Sequence, residues 1–391
     1  MRRQSFGKLN KLIHTNKYNM QTNRLKSLAF SAVVLVSVAS CTDKKVQKDK
    51  HKDEVTTSTK TTLSNKPIVL QRADPFIYKH TDGYYYFTGS VPTYDAIELR
   101  RAKSIDELQN AETFKVWEKH KSGPMSRHVW APEIHYLDGK WYVYFAASEE
   151  EDIWKLRPYV LKCTGQDPLN DKWIELGQMQ AADADPKSFT DFSLDGTVFE
   201  HKNKRYFCWA EKTGGQFAAS NLYLAEMESP IKLKTVQFML TTPDYDWERI
   251  GFWVNEGPAV IKNKGKIYIT FSASATGACY SMGMMEADEN ADLLDRNSWK
   301  KSRYPVLKTN EAKKIYGPGH NSFTVDENGE PLVIYHARDY EKAVGDPKVV
   351  PVTDKRPLKE IIVDPLYDPN RHARVMKLKF DEKGTPKFEF N

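Results

Sequence analysis

Five segments of the chain begin with a turn residue and continue as an aromatic and β-branched run: Gly83–Ser90, Gly139–Ser148, Asn203–Ala210, Gly265–Ser272 and Gly329–His336. Runs of this composition, bounded by turn residues, predict β-strands. Their starts lie 56, 64, 62 and 64 residues apart, so the pattern is an internal repeat. Each is preceded by a second strand that opens on a small-residue corner. These read Ala73-Asp-Pro-Phe-Ile-Tyr, Ala131-Pro-Glu-Ile-His-Tyr, Leu194-Asp-Gly-Thr-Val-Phe, Asn255-Glu-Gly-Pro-Ala-Val-Ile and Gly319-His-Asn-Ser-Phe-Thr. Short turns such as His201–Lys204 join each pair into a hairpin. A third apolar run follows in four of the repeats, at Ile97–Ala102, Tyr159–Cys163, Leu222–Met227 and Tyr280–Met285, and then an edge strand marked by Trp117, Trp173, Phe238 or Trp299. Four strands repeated five times, with no long 3.6-period segment between them, predict an all-β fold, a five-bladed β-propeller over residues 68–391. A β-sandwich would not give such even spacing.

In a propeller the first strand of each blade lines a central channel, and corresponding positions converge. The polar residues at the start of those strands are Asp74, Glu133, Asp195, Glu256 and His320, separated by 59, 62, 61 and 64 residues. Placing ionisable groups where an apolar core would be simplest is costly. Acids that merely cap blade corners would account for one or two of them. Carboxylates gathered in a channel suit metal binding, acid–base hydrolysis or both. Hydrolysis of a glycosidic bond takes two carboxyl groups, one protonated and one ionised, and burial with mutual repulsion raises one pKa. Trp130, just before the second corner, is a candidate for stacking on a sugar ring.

Ala73-Asp-Pro-Phe-Ile77, Trp130-Ala-Pro-Glu-Ile134, Leu194-Asp-Gly-Thr197, Val254-Asn-Glu-Gly-Pro258 and Gly317-Pro-Gly-His-Asn-Ser322, in this order and spacing, resemble glycoside hydrolase family 43. Within that family the chain is most similar to exo-acting α-L-arabinofuranosidases on α-1,5-arabinan, through Ser220–Ala225, Tyr335-His-Ala-Arg338 and Asp368–Arg374. The resemblance implies an inverting mechanism, with Asp74 as general base, Glu256 as general acid and Asp195 as the acid that orients the sugar and raises the general acid's pKa. It implies that His320 touches a bound cation or its water, so a structural Ca2+ in the channel is an expectation, although no cofactor is required for the chemistry. Glu133 belongs to a matched motif and is assigned only to the lining of the substrate site. The stretch between Tyr340 and Asp364 looks longer than in similar members and is either a loop near the mouth or one remote from the site.

Charge first suggests another partner, since 58 Lys and Arg against 52 Asp and Glu give +6. Residues 1–40, however, hold seven basic residues and no acid, and residues 68–391 hold 44 basic against 48 acidic, a balance of −4. The basic excess therefore lies outside the propeller, and no nucleic-acid partner is expected. Leu28–Ala39 is an apolar run too short to span a bilayer, preceded by Arg24 and Lys26 and followed by Ser40-Cys41. It predicts a signal peptide over 1–40 of lipoprotein type, lipidation at Cys41 and a solvated tether over 41–67 rich in Lys, Asp, Thr and Ser. An ordinary secretory cleavage site ahead of a cysteine is the competing reading. The expected location is the outer side of a bacterial membrane, periplasmic or cell-surface, with the protein a monomer. Cys163, Cys208 and Cys279 form no disulfide framework and are expected to be small buried hydrophobes. The sequence has no His-Glu-x-x-His, Gly-x-Ser-x-Gly or phosphate-cradling glycine motif.

The leading expectation is release of L-arabinofuranose from arabinan, arabinoxylan or arabino-oligosaccharides. A β-xylosidase or endo-arabinanase on the same scaffold remains open, as does a glycan-capturing propeller without activity.

Overall fold

The computed structural model describes residues 66–213, 218–346 and 356–390; the signal segment, Cys41 and nearly all of the tether lie outside them. The repeats form five antiparallel sheets, four of them simple meanders of consecutive strands. Blade one is β1 (Ala73–Lys79), β2 (Tyr85–Ser90), β3 (Ala96–Ala102) and β4 (Phe114–Glu118). Blade two is β5 (Arg127–Leu137), β6 (Lys140–Ser148), β7 (Arg157–Cys163) and β8 (Trp173–Gln178). Blade three is β9 (Ser193–His201), β10 (Lys204–Thr213) and β11 (Ala219–Ser229), with β12 (Lys232–Leu233) and β13 (Phe238–Thr241) both paired to β11. Blade four is β14 (Asn255–Asn263), β15 (Lys266–Ala273), β16 (Ser281–Asp288) and β17 (Lys300–Lys301). Blade five is β18 (Tyr316–Val325), β19 (Pro331–Arg338), β20 (His372–Phe380) and β21 (Pro386–Phe388).

The expected inner and second strands are all present. Trp299 falls just ahead of its edge strand rather than within it. The third strand of blade five lies beyond residues 339–371, which is why the repeat fades there. Of the cysteines, Cys163 and Cys208 are buried within strands, whereas Cys279 is half-buried in the turn before β16.

The inner strands β1, β5, β9, β14 and β18 neighbour one another in a closed ring. Backbone bonds from Ile68 and Val69 to Ala373 (2.8 and 3.4 Å) and from Ala373 back to Val69 (2.9 Å) tie the start of the domain to the last blade. Ser322 on β18 donates to the Pro75 carbonyl of β1 at 2.8 Å, closing the same seam inside the channel. Ring closure leaves few exposed sheet edges, and the blade faces supply the core.

That core is divided among the spaces between blades. Trp141 is packed by Tyr86 and Tyr136 (ring centroids 4.7 and 4.9 Å) between blades one and two. In the next space Trp209, fully buried, stacks between Phe207 and Tyr223 at 5.7 Å each. This is where the aromatic surplus of the sequence goes. Trp209→Ala removes the central ring of that stack and is expected to cost about 3–5 kcal/mol, read as a lowered midpoint in urea unfolding.

Candidate active site

The channel residues reach their positions through a backbone device repeated around the ring. At the top of each inner strand the ladder slips by a β-bulge, as between Ala73 and Phe76, Trp130 and Glu133, and Glu256 and Ala259. A left-handed residue sits in every bulge: Asp74 (φ 52°), Ala131 (45°), Asp195 (55°), Gly257 (57°) and His320 (43°). Non-glycine residues adopt this conformation at a cost, which Asp tolerates better than most. At Gly257 a Cβ would also stand 3.0 Å from the His320 ring.

The bulges show that the five polar residues are not strictly equivalent. Asp74, Asp195 and His320 occupy the left-handed position itself, and Glu256 is one residue before it. Glu133 lies two residues further along its strand, in register with Phe76, Thr197 and Ala259. It is buried and accepts from His135 Nε2 at 2.8 Å. Asp74, Asp195, Glu256 and His320 thus form one cluster, with Glu133 below it.

Asp74 is at the centre. Its Oδ2 accepts from Ser90 Oγ at 2.6 Å, and its backbone N–H donates to His336 Nδ1 at 3.0 Å. Around Oδ1 stand His320 Nδ1 (3.2 Å), His336 Nδ1 (3.3 Å) and an Arg371 guanidinium nitrogen (3.6 Å). Burial alone would raise the pKa of this carboxyl, but His320, Arg371 and His336 together hold it well below the usual carboxylate range. Asp74 is therefore ionised throughout the neutral and mildly acidic range.

The other two acids are tuned the opposite way. Burial, then the charges of Glu256 and Asp74, push Asp195 well above its ordinary value, although it accepts the Gly257 N–H at 3.0 Å. Glu256 retains some access to solvent. Burial and the Asp74 charge raise it to about 7, against the opposing effect of the Tyr280 hydroxyl, which donates to Glu256 Oε1 at 2.8 Å, and of Arg371. Ionisation of either Asp195 or Glu256 opposes that of the other, so they titrate as a pair. His320 is lowered by burial despite the neighbouring carboxylates, and His336 is pushed by burial down to about 3. Burial thus favours the neutral form of both rings, leaving Arg371 as the fixed positive charge.

Four site residues were not singled out from the sequence: Ser90, Tyr280, His336 and Arg371. His336 and Arg371 lie within stretches that carry the family resemblance. Arg371 arrives at the end of the long connection between β19 and β20 of blade five. The described part of that connection folds back on itself, with Val344 N–H donating to Asp368 Oδ2 (3.0 Å) and Gly345 N–H to the Ile362 carbonyl (2.7 Å). Its Ile361 and Tyr367 are buried in the same cluster as Tyr94 and Trp130. Arg371 also donates to Tyr94 Oη at 2.6 Å. The connection is thus part of the site's wall rather than a remote loop.

Trp130 offers little ring surface to a sugar. It is 9% exposed, stacked on His128 at 4.4 Å and met edge-on by Tyr94 at 5.6 Å. Ca2+ takes six to eight oxygens, and here water would have to supply most of them. The carboxylates near His320 are engaged with nitrogen donors, Glu133 is bound to His135, and among the described residues no three His, Cys, Asp or Glu side chains are grouped to hold a metal.

Residues 64–386 match the family described as Glycosyl hydrolases family 43. The chain is 46% identical over 323 residues to an extracellular exo-α-(1→5)-L-arabinofuranosidase of Streptomyces avermitilis, covering 82% of this chain and 62% of that protein. A protein of the same description from Streptomyces chartreusis is 48% identical over 282 residues, 72% of this chain and 84% of the other. The crystal structure of an α-L-arabinofuranosidase from Lactobacillus brevis superposes with a TM-score of 0.74 at 47% identity, covering 83% of this chain and 97% of that one.

Tyr280→Phe removes a hydrogen bond that favours the ionised Glu256 carboxyl, so the Glu256 pKa is expected to move upward from about 7. Carbon-13 NMR of labelled glutamate carboxyls across a pH titration reads this directly.

Proposed function

The chain belongs to glycosyl hydrolases family 43, and we propose that it is an inverting exo-α-L-arabinofuranosidase releasing L-arabinofuranose from α-1,5-linked arabinan or arabino-oligosaccharides. The observation that carries the reading is the opposite electrostatic tuning of Asp74 and Glu256 in one channel. It is supported by the relatives' described activity and by their 46% and 48% identity.

In this mechanism Asp74, held ionised by its cationic and imidazole neighbours, takes a proton from a water that attacks the anomeric carbon. Glu256, protonated up to about pH 7, gives its proton to the departing glycosidic oxygen. The bond to the leaving sugar breaks as the bond to water forms from the opposite face. Asp195, whose carboxyl burial and the Glu256 and Asp74 charges push upward, binds a hydroxyl of the bound sugar, and its negative charge when ionised resists the loss of the Glu256 proton. The closing proton exchange passes through the solvent-accessible side of Glu256. No step uses a cofactor.

Cys41 is proposed to carry the lipid that holds the enzyme on the outer side of a membrane, with the Lys-rich segment after it as tether; the relatives described as extracellular support the outward location.

Asp74→Asn and Glu256→Gln are each expected to lower kcat on α-1,5-arabinotriose by about 10²–10⁴-fold while the fold is retained. Monosaccharide alone should appear from debranched arabinan; a ladder of oligomers would indicate endo-action, and release of xylose from xylo-oligosaccharides a xylosidase. The alkaline limb of kcat/KM should fall through about pH 7, where Glu256 loses its proton, and treatment with EDTA should leave the rate unchanged.

A further inference from the structure

The channel mouth carries an exposed aromatic pair that the hydrolytic machinery does not use. Phe252 is 66% exposed and Trp253 51%, in the loop that leads directly into β14 and Glu256. Rings this open forgo hydrophobic stabilisation that burial would return. The loop is nevertheless firmly held. Ile250 N–H donates to Ser274 Oγ at 2.9 Å, the Ile250 carbonyl accepts from Ala275 N–H at 2.9 Å, and the Trp253 carbonyl accepts from Ser220 N–H at 3.0 Å. The Arg249 guanidinium, anchored on the Pro243 carbonyl (2.6 and 2.9 Å), lies 4.6 Å from the centre of the Trp253 ring. The backbone on both sides of the rings is pinned while the rings face water.

Position identifies the occupant. The proton donor of a glycosidase stands beside the leaving oxygen, so the sugar beyond the scissile bond must pass over the segment carrying that donor. Here that segment is Phe252–Glu256. Trp130 is covered by His128 and Tyr94, so it does not compete for this role. The geometry assigns Phe252 and Trp253 as the platform on which the departing saccharide of a linear α-1,5-arabino-oligosaccharide stacks. This rests on the hydrolase reading above and specifies which part of the substrate the enzyme holds outside the pocket. A furanose chain presents C–H-rich faces, and rings held in place lose little freedom on meeting them.

The test compares kcat/KM for α-1,5-arabinotriose with that for methyl α-L-arabinofuranoside, whose leaving group is too small to reach the platform. In the double variant Phe252→Ala/Trp253→Ala the ratio of the two values should fall about tenfold, chiefly through KM for the triose. Tyr304→Ala, which removes another exposed aromatic after the outermost strand of the same blade, should leave the ratio as in the wild type. An unchanged ratio in the double variant overturns the assignment, as does a change confined to oligomeric state in gel filtration. Failure of the wild type to cleave either substrate would instead count against the hydrolase reading itself.

Discussion

A buried carboxylate survives ionised only if its surroundings replace the water it has lost, and Asp74 owes that replacement chiefly to His320 and Arg371. His320 comes from blade five and Arg371 from the end of the connection inside that blade, so neither partner is near in sequence. The ion pair exists only when the ring has closed and blade five lies against blade one. Burial raises Asp195 and Glu256, and the fixed negative charge of Asp74 adds to it, so both keep their protons to higher pH. An ionised carboxylate beside a carboxylic acid is the pairing that acid–base hydrolysis uses.

Closure and catalysis therefore share parts. The Ser322 bond to Pro75 and the Ala373 bonds to Ile68 and Val69 join first and last blades, and the Asp74–His320–Arg371 contacts cross the same seam. The bulges serve both ends as well. A left-handed residue at the top of each inner strand interrupts the ladder and redirects side chains into the channel, while the strand below continues to pack the blade.

Much of this was legible in the sequence because it is periodic. Alternating aromatic and β-branched runs mark hairpins, and their even spacing marks blades. The acids were found because they recur at those intervals. Finer geometry was less legible: a bulge shifts register by a residue without changing the count between blades, so Glu133 looked equivalent to Asp74 although it lies two positions deeper. Arg371 escaped notice because it follows an aperiodic connection, where no interval predicts which side chain returns to the channel. Tyr280 reads as a core aromatic at the head of a third strand, and only its hydroxyl on Glu256 reveals the site. Trp130 shows the reverse failing: proximity to the motif suggested a sugar platform, whereas packing by His128 and Tyr94 covers its ring.

Asp74 as the base that activates water and Glu256 as the acid that protonates the leaving oxygen, the proposed division of labour, require attack from the face opposite the departing sugar. Proton NMR of the first arabinose released from α-1,5-arabinotriose, recorded before mutarotation, tests it most directly. Initial formation of the β-furanose is the predicted result; initial formation of the α-furanose would mean retention and would contradict the assignment of Asp74 as a base.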